Sequence, residues 1–372
     1  MQTIRHPLVQ SYLGTQRELV SFHYSNDRPG QKIYMQASLH ADELPPMLVA
    51  HHLRARLAAL EAANKIIGEI VVVPVANPIG LAQTLMHHQI GRFDLASAEN
   101  FNRHYPAFYP DIAAALSTTL TDHADANRQI IRRAMLAHLD QITATNELAS
   151  MRKILMRLAV DADVSLDLHC DSEAVLHLYT GTPLWPQCEP LARYMGAHAT
   201  LLATESGDNP FDEACSQTWW QLAEYFKDKF PIPMACLCVT VELRGQTDVN
   251  HAVAMKDADN IIAFLQHRGA IDGAAPPTPA LLHDATPLAG SDAMESPVSG
   301  VVVFLKAPGD MVNAGDAVAE VIDPITSLVT TLRASTDGVL YARENRYFAT
   351  AGMRLCKIAG KTAFRTGKLL GA

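Results

Sequence analysis

Four short runs of apolar, β-branched residues, each closing on a polar side chain, constrain this chain more than any other feature. They are KIYMQASLH (Lys32 to His40), EIVVVPVAN (Glu69 to Asn77), VSLDLH (Val164 to His169) and ACLCVTVEL (Ala235 to Leu243). Between them the periodicity predicts helices at about 45–63, 128–139 and 147–162. Short apolar runs alternating with helical stretches give an α/β fold: a mixed, mainly parallel sheet between helices. Residues 80–112 are polar and irregular, and a loop of that length is usually functional or poorly ordered. Ligands of such sheets bind outside the carboxyl ends of the strands. His40, Asn77, His169 and Glu242 all fall at or near those ends, so four strands bring polar groups to one edge.

A chain of 372 residues has room for more than one folding unit. GAIDGAAPPTPALLHDATPLAGSDA, from Gly269 to Ala293, is rich in Ala, Pro and Gly and reads as a linker. It separates a catalytic unit, residues 1–268, from a valine- and glycine-rich segment, 294–372, whose frequent turn signals predict a small all-β domain. Its two halves align with Gly300 on Gly338 and Gly315 on Gly352. The segment resembles the lipoyl and biotinyl carrier domains, which are barrel-like sandwiches with a modified lysine on a hairpin. The corresponding turn here, VIDPITSLVTTL from Val321 to Leu332, contains no lysine, so a swinging-arm role is not expected.

The net charge of −9 and the lack of any Lys/Arg cluster argue against nucleic acid or an anionic membrane as partner, and favour a small molecule. A homo-oligomer remains open. Six cysteines without a CxxC pair read as reduced core residues. The first residues lack the basic start and apolar stretch of a secretory signal, so a cytoplasmic protein is expected.

His40 and Glu43 stand three apart across a strand-to-helix turn and can converge on one ion, with His169 arriving from a distant strand. Two imidazoles and one carboxylate, with water in the fourth place, make a catalytic rather than a structural zinc site. Asp167, two residues before His169 on the same strand face, can orient that imidazole. The adjacent pairs His51/His52 and His87/His88 diverge and read as solvated or core-edge residues.

HADE (His40 to Glu43), NFNRHYP (Asn100 to Pro106), SLDLH (Ser165 to His169) and VEL (Val241 to Leu243) together resemble the succinylglutamate desuccinylase and aspartoacylase family of the zinc carboxypeptidase superfamily, over roughly residues 30–265. The resemblance implies one zinc per chain on His40, Glu43 and His169. It implies Glu242 as general base, Asn102 and Arg103 as a clamp on a substrate carboxylate, and Arg92 as the group that polarises the scissile carbonyl. It also implies a C-terminal β domain that narrows access to the site. The expected activity is zinc-dependent hydrolysis of the amide bond of a small N-acyl amino acid or related amine. A peptide-trimming carboxypeptidase and a non-catalytic metal-binding protein are the alternatives. Two departures bear on the substrate: Ala41 follows the first histidine where the family usually has glycine, and ELRGQ follows Val241 where a shorter run is common. A bland alternative for Glu242 is an ion pair with Arg244.

Overall fold

The computed structural model describes residues 1–371. Nine strands form one sheet, in the order Gln2–Pro7, Glu18–Ser25, Glu69–Val73, Lys32–Ala37, Val164–Asp171, Leu237–Gly245, His177–Gly181, Ala199–Ala203 and Thr286–Pro287. The centre is parallel, from Glu69–Val73 through to Leu237–Gly245. Antiparallel pairs join the two N-terminal strands to the centre and set Leu237–Gly245 against His177–Gly181. The sheet is therefore mixed and mostly parallel.

Both faces are covered, so the central strands are buried at nearly every position. Ile33, Met35 and Ala37 point into a core with Val49, Leu53 and Phe264, from the helices Pro45–Ala62 and His251–His267. Tyr34, between them in sequence, points to the opposite core with Ile131, Leu155 and Trp219, from Ala124–Gln141, Glu147–Ala159 and Phe211–Phe226. The alternation of strand side chains thus feeds two cores.

Element ends differ from the sequence reading in ways that matter for the site. The first strand stops at Ala37 and the second at Val73, so His40 and Asn77 lie in the turns beyond. The strand carrying His169 runs on to Asp171. The helix expected from residue 128 begins at Ala124, and Glu147–Ala159 is capped by Asn146, whose side chain accepts from Ala149 N at 2.8 Å. Residues 80–112 hold the end of the short helix Pro78–Leu81, a hairpin of Thr84–Leu85 with His88–Gln89, a bridge between Phe93 and Asn100 and the start of the helix Tyr109–Leu116.

The C-terminal segment is two small sheets on one core. One runs Ser291–Glu295, Arg354–Gly360, Gly338–Arg343, Met311–Val312; the other runs Val329–Arg333, Ala317–Ile322, Gly300–Phe304, Phe348–Ala349. Val302, Val318, Leu340 and Ile358 fill the space between. Gly300 and Gly338 each open a strand where a Cβ would fall 2.4 Å from the carbonyl of Ile322 and 2.2 Å from that of Ala359. Within the stretch 269–293, Ile271 bridges to Ile66, Thr286–Pro287 forms the edge of the large sheet, and Ser291 begins the β domain.

The two units also share hydrogen bonds: Glu173–Ala174, just past the His169 strand, pairs antiparallel with Gly338–Arg343. All six cysteines are free and buried. Among the described residues, no helix is long and apolar enough to cross a membrane.

Candidate metal centre and active site

The turn that carries His40 is held from several sides. Ser38 takes a left-handed conformation at φ +58°, and its hydroxyl donates to the carbonyl of Glu43 at 2.5 Å. Asn77 is a brace, not a cavity group: its amide donates to Leu39 O at 2.9 Å and accepts from Gly80 N at 2.8 Å. The loop bearing Arg92 lies so close that a Cβ on Gly91 would sit 2.0 Å from Asp42 N, so only glycine fits there.

These constraints turn His40, Glu43 and His169 toward one point, with a ligand atom of each within 4.8 Å of the others. Glu43 offers Oε1 to His40 Nδ1 and Oε2 to His169 Nδ1, both at 2.8 Å. Each imidazole turns its other nitrogen outward: His40 Nε2 meets Asn100 Oδ1 at 2.9 Å, and His169 Nε2 lies 2.9 Å from Asp167 Oδ2, a charge contact without hydrogen-bond alignment. Both histidines thus present Nδ1 inward and have an oxygen behind Nε2, the outer arrangement that fixes the tautomer of metal-binding imidazoles. Burial, and then Arg92, lower the His40 pKa to about 4, so this ring is neutral and able to coordinate. Burial disfavours a charge on His169 too, but Asp167 and Glu43 overcome it and hold its pKa well above the ordinary value. A buried group of this charge and shape fits a divalent cation.

Glu242 is level with His169 on the neighbouring parallel strand, so both side chains leave the same face of the sheet. Its Oε2 is buried with no partner among the described residues, and burial, then Glu43, push its carboxyl up to about 8. The ion pair with Arg244 does not form: Arg244 turns away to Asp257.

Arg92 reaches His40 Nδ1 at 2.9 Å and Glu43 Oε1 at 3.3 Å with Nη1, at the donor atoms themselves. Asn102 is partly structural, since its Oδ1 accepts from Phe211 N at 2.9 Å, leaving its NH₂ as the group able to meet a ligand. Arg103 is buried, with Nη1 on the carbonyl of Asn102 at 2.7 Å.

His40, Glu43, His169, Glu242, Arg92, Asn102 and Arg103 all line one cavity of about 460 Å³, whereas Asn77 and Asp167 stand behind its wall. Sequence reasoning missed Asn100, although it stands in the same NFNRHYP stretch, and it expected a β domain at the site without naming the residues that line it. Lys357 enters from the strand Arg354–Gly360 and pairs with Asp171 at 2.5 Å. Burial alone would raise the Asp171 carboxyl, but Lys357 overrides this and holds it at about 2. Tyr341, Arg343 and Arg354 also line the cavity.

The sequence pattern of the succinylglutamate desuccinylase/aspartoacylase catalytic domain matches residues 29–268, well over half the chain. The chain belongs to that family. No curated protein matches it. Its fold is that of several solved structures. A succinylglutamate desuccinylase/aspartoacylase family protein from Shewanella amazonensis has a TM-score of 0.83 at 24% identity, over 97% of this chain and 99% of its own. A relative from Shewanella frigidimarina has a TM-score of 0.82 at 23% identity, over 96% and 97%. The product-bound ectoine utilization protein of Ruegeria pomeroyi has a TM-score of 0.67 at 15% identity, over 96% and 95%.

The oxygens behind the imidazoles lead to a first prediction. Asp167→Asn is expected to weaken metal binding by about ten- to a hundred-fold, the usual cost of disturbing such a partner. Competition with a chromophoric chelator measures it, and affinity equal to the parent's would remove Asp167 from the account.

Proposed function

We propose that the protein is a zinc-dependent amidohydrolase that removes the acyl group from a small N-acylated amino acid or related amine. The observation that carries this reading is the combination, in one cavity, of three converging ligand atoms from His40, Glu43 and His169 with the unpartnered carboxylate oxygen of Glu242. Nitrogen and carboxylate ligands in this number suit zinc. A zinc ion held there supplies positive charge that polarises an amide carbonyl, acidifies an attacking water and favours the ionised form of nearby carboxylates.

The protein's own groups do the rest. Glu242 takes the proton of the attacking water on its free oxygen and returns it to the amine nitrogen as the C–N bond breaks. Asn102 and Arg103 orient the substrate through a carboxylate, for which the planar guanidinium is the matching donor. Arg92, whose guanidinium stands beside His40 and Glu43, is the cation that would face the carbonyl oxygen where negative charge develops. The β domain contributes Tyr341, Arg343 and Lys357 to the wall of the cavity. Cytoplasmic residence suits six buried, unbridged thiols.

A panel of N-acetyl and N-succinyl amino acids against short peptides, given to the zinc-loaded protein, tests the reading. Deacylation without peptide cleavage is expected; rapid peptide cleavage alone would overturn it. Arg103→Lys should raise KM for substrates with a free carboxylate about ten-fold or more while leaving their amides nearly unchanged, since lysine cannot grip two oxygens at once. Equal losses for both would end the clamp assignment.

A further inference from the structure

Arg103 does not stand open to the cavity. Its Nη2 donates to the carbonyl of Gly371 at 2.5 Å, and Leu369, Leu370 and Gly371 line the same cavity as His40 and Glu242. This segment is seated by specific contacts. Leu369 is buried in an apolar cluster with Leu288 and Tyr341, its N–H donates to Ser206 O at 2.9 Å, and its carbonyl accepts from Arg365 Nη2 at 2.6 Å. Lys368 pairs with Asp208 at 2.7 Å. Gly367 turns the chain at φ +76°, a conformation that side chains disfavour. A second guanidinium faces the same point: a Cβ on Gly371 would lie 3.2 Å from Arg354 Nη1.

A carbonyl is a weak occupant for such a place. The carbonyl takes one hydrogen bond and carries no charge, whereas a carboxylate brings the opposite charge and accepts from the guanidinium through two oxygens, so an anion that reaches Arg103 outcompetes Gly371. The segment's advantage is that it is tethered to the site. We propose that residues 367–371 are an internal plug that competes with the substrate's carboxylate for Arg103, so that the clamp opens only when the segment is displaced. The inference rests on the reading of Arg103 as a clamp and adds to it a self-occupied state. Linkage fixes the size of the effect: a plug seated nine-tenths of the time weakens the apparent affinity of a competing carboxylate about ten-fold.

The test needs no turnover. Glutarate is titrated calorimetrically into three zinc-loaded proteins: the full chain, a chain ending at Thr366, and Gly367→Val, which disfavours the inward turn while keeping every seating group. About ten-fold tighter glutarate binding is expected in both variants, and glutarate should speed tryptic cleavage after Lys368 in the full chain. Equal affinity in all three, with cleavage unchanged by glutarate, overturns the plug and leaves the hydrolase reading standing. Absence of glutarate binding in all three overturns the plug together with the clamp on which it rests.

Discussion

Glu242→Gln is expected to lower kcat by about a thousand-fold, inside the roughly 10²- to 10⁴-fold range of a positioned acid–base group, and to leave the zinc content at one per chain. The substitution is clean. Glutamine has the same shape, Arg244 is already paired with Asp257, and Oε2 of Glu242 has no partner among the described residues, so no other bond is lost. What disappears is the capacity to carry a proton between water and amine. Single-turnover hydrolysis of an N-acyl amino acid, with elemental mass spectrometry on the same sample, reads both quantities. A turnover within a few-fold of the parent would show that Glu242 is not the base.

His169→Ala should have a still larger effect on the metal. It removes one of three ligands and leaves Glu43 Oε2 with only the N–H of Cys170, 3.0 Å away. Two protein ligands do not hold zinc in a catalytic site, so affinity is expected to fall by several orders of magnitude and activity with it. Asp167 is then left as a buried carboxylate held, among the described residues, only by the Gln36 amide, which donates to Oδ1 at 2.9 Å. Equilibrium dialysis against a zinc buffer measures the loss, and full zinc occupancy in the variant would mean that the ion sits elsewhere. Stripping the parent protein with a chelator should give the same inactive state, restored by adding zinc.

The three candidate ligands were legible because their signals are local. HxxE at a strand-to-helix turn and DLH at a strand end need only the strands and their direction, both of which follow from the apolar runs. The same runs place Glu242 near a strand end, its role as base came from resemblance alone, and the register that sets it on the same face as His169 is seen only in the structure. Asn77 shows the limit of that logic. A polar residue after a strand reads as cavity-facing, but here the turn closes over it and uses both ends of its amide.

Asn100 was hidden because its role depends on the path of an irregular loop. That loop is pinned by Arg152, which donates to Asn100 O at 2.9 Å and pairs with Glu99 at 2.7 Å from a helix some fifty residues on. Lys357 and Arg354 were hidden more deeply. Their strand reads like any other of the β domain, and nothing near them in sequence shows that it stands over the cavity. A β domain beside the site was expected only through resemblance.

The pairing of Glu173–Ala174 with Gly338–Arg343 ties two cores into one cooperative unit. Because that short strand begins four residues after His169, peeling the β domain away would pull on the backbone that aims a candidate ligand. Free energy released when an ion binds at His40, Glu43 and His169 therefore also resists opening of a sheet that contributes none of the three ligands. Amide protons of Ala342 and its neighbours would report, through slower exchange, on an ion they never touch.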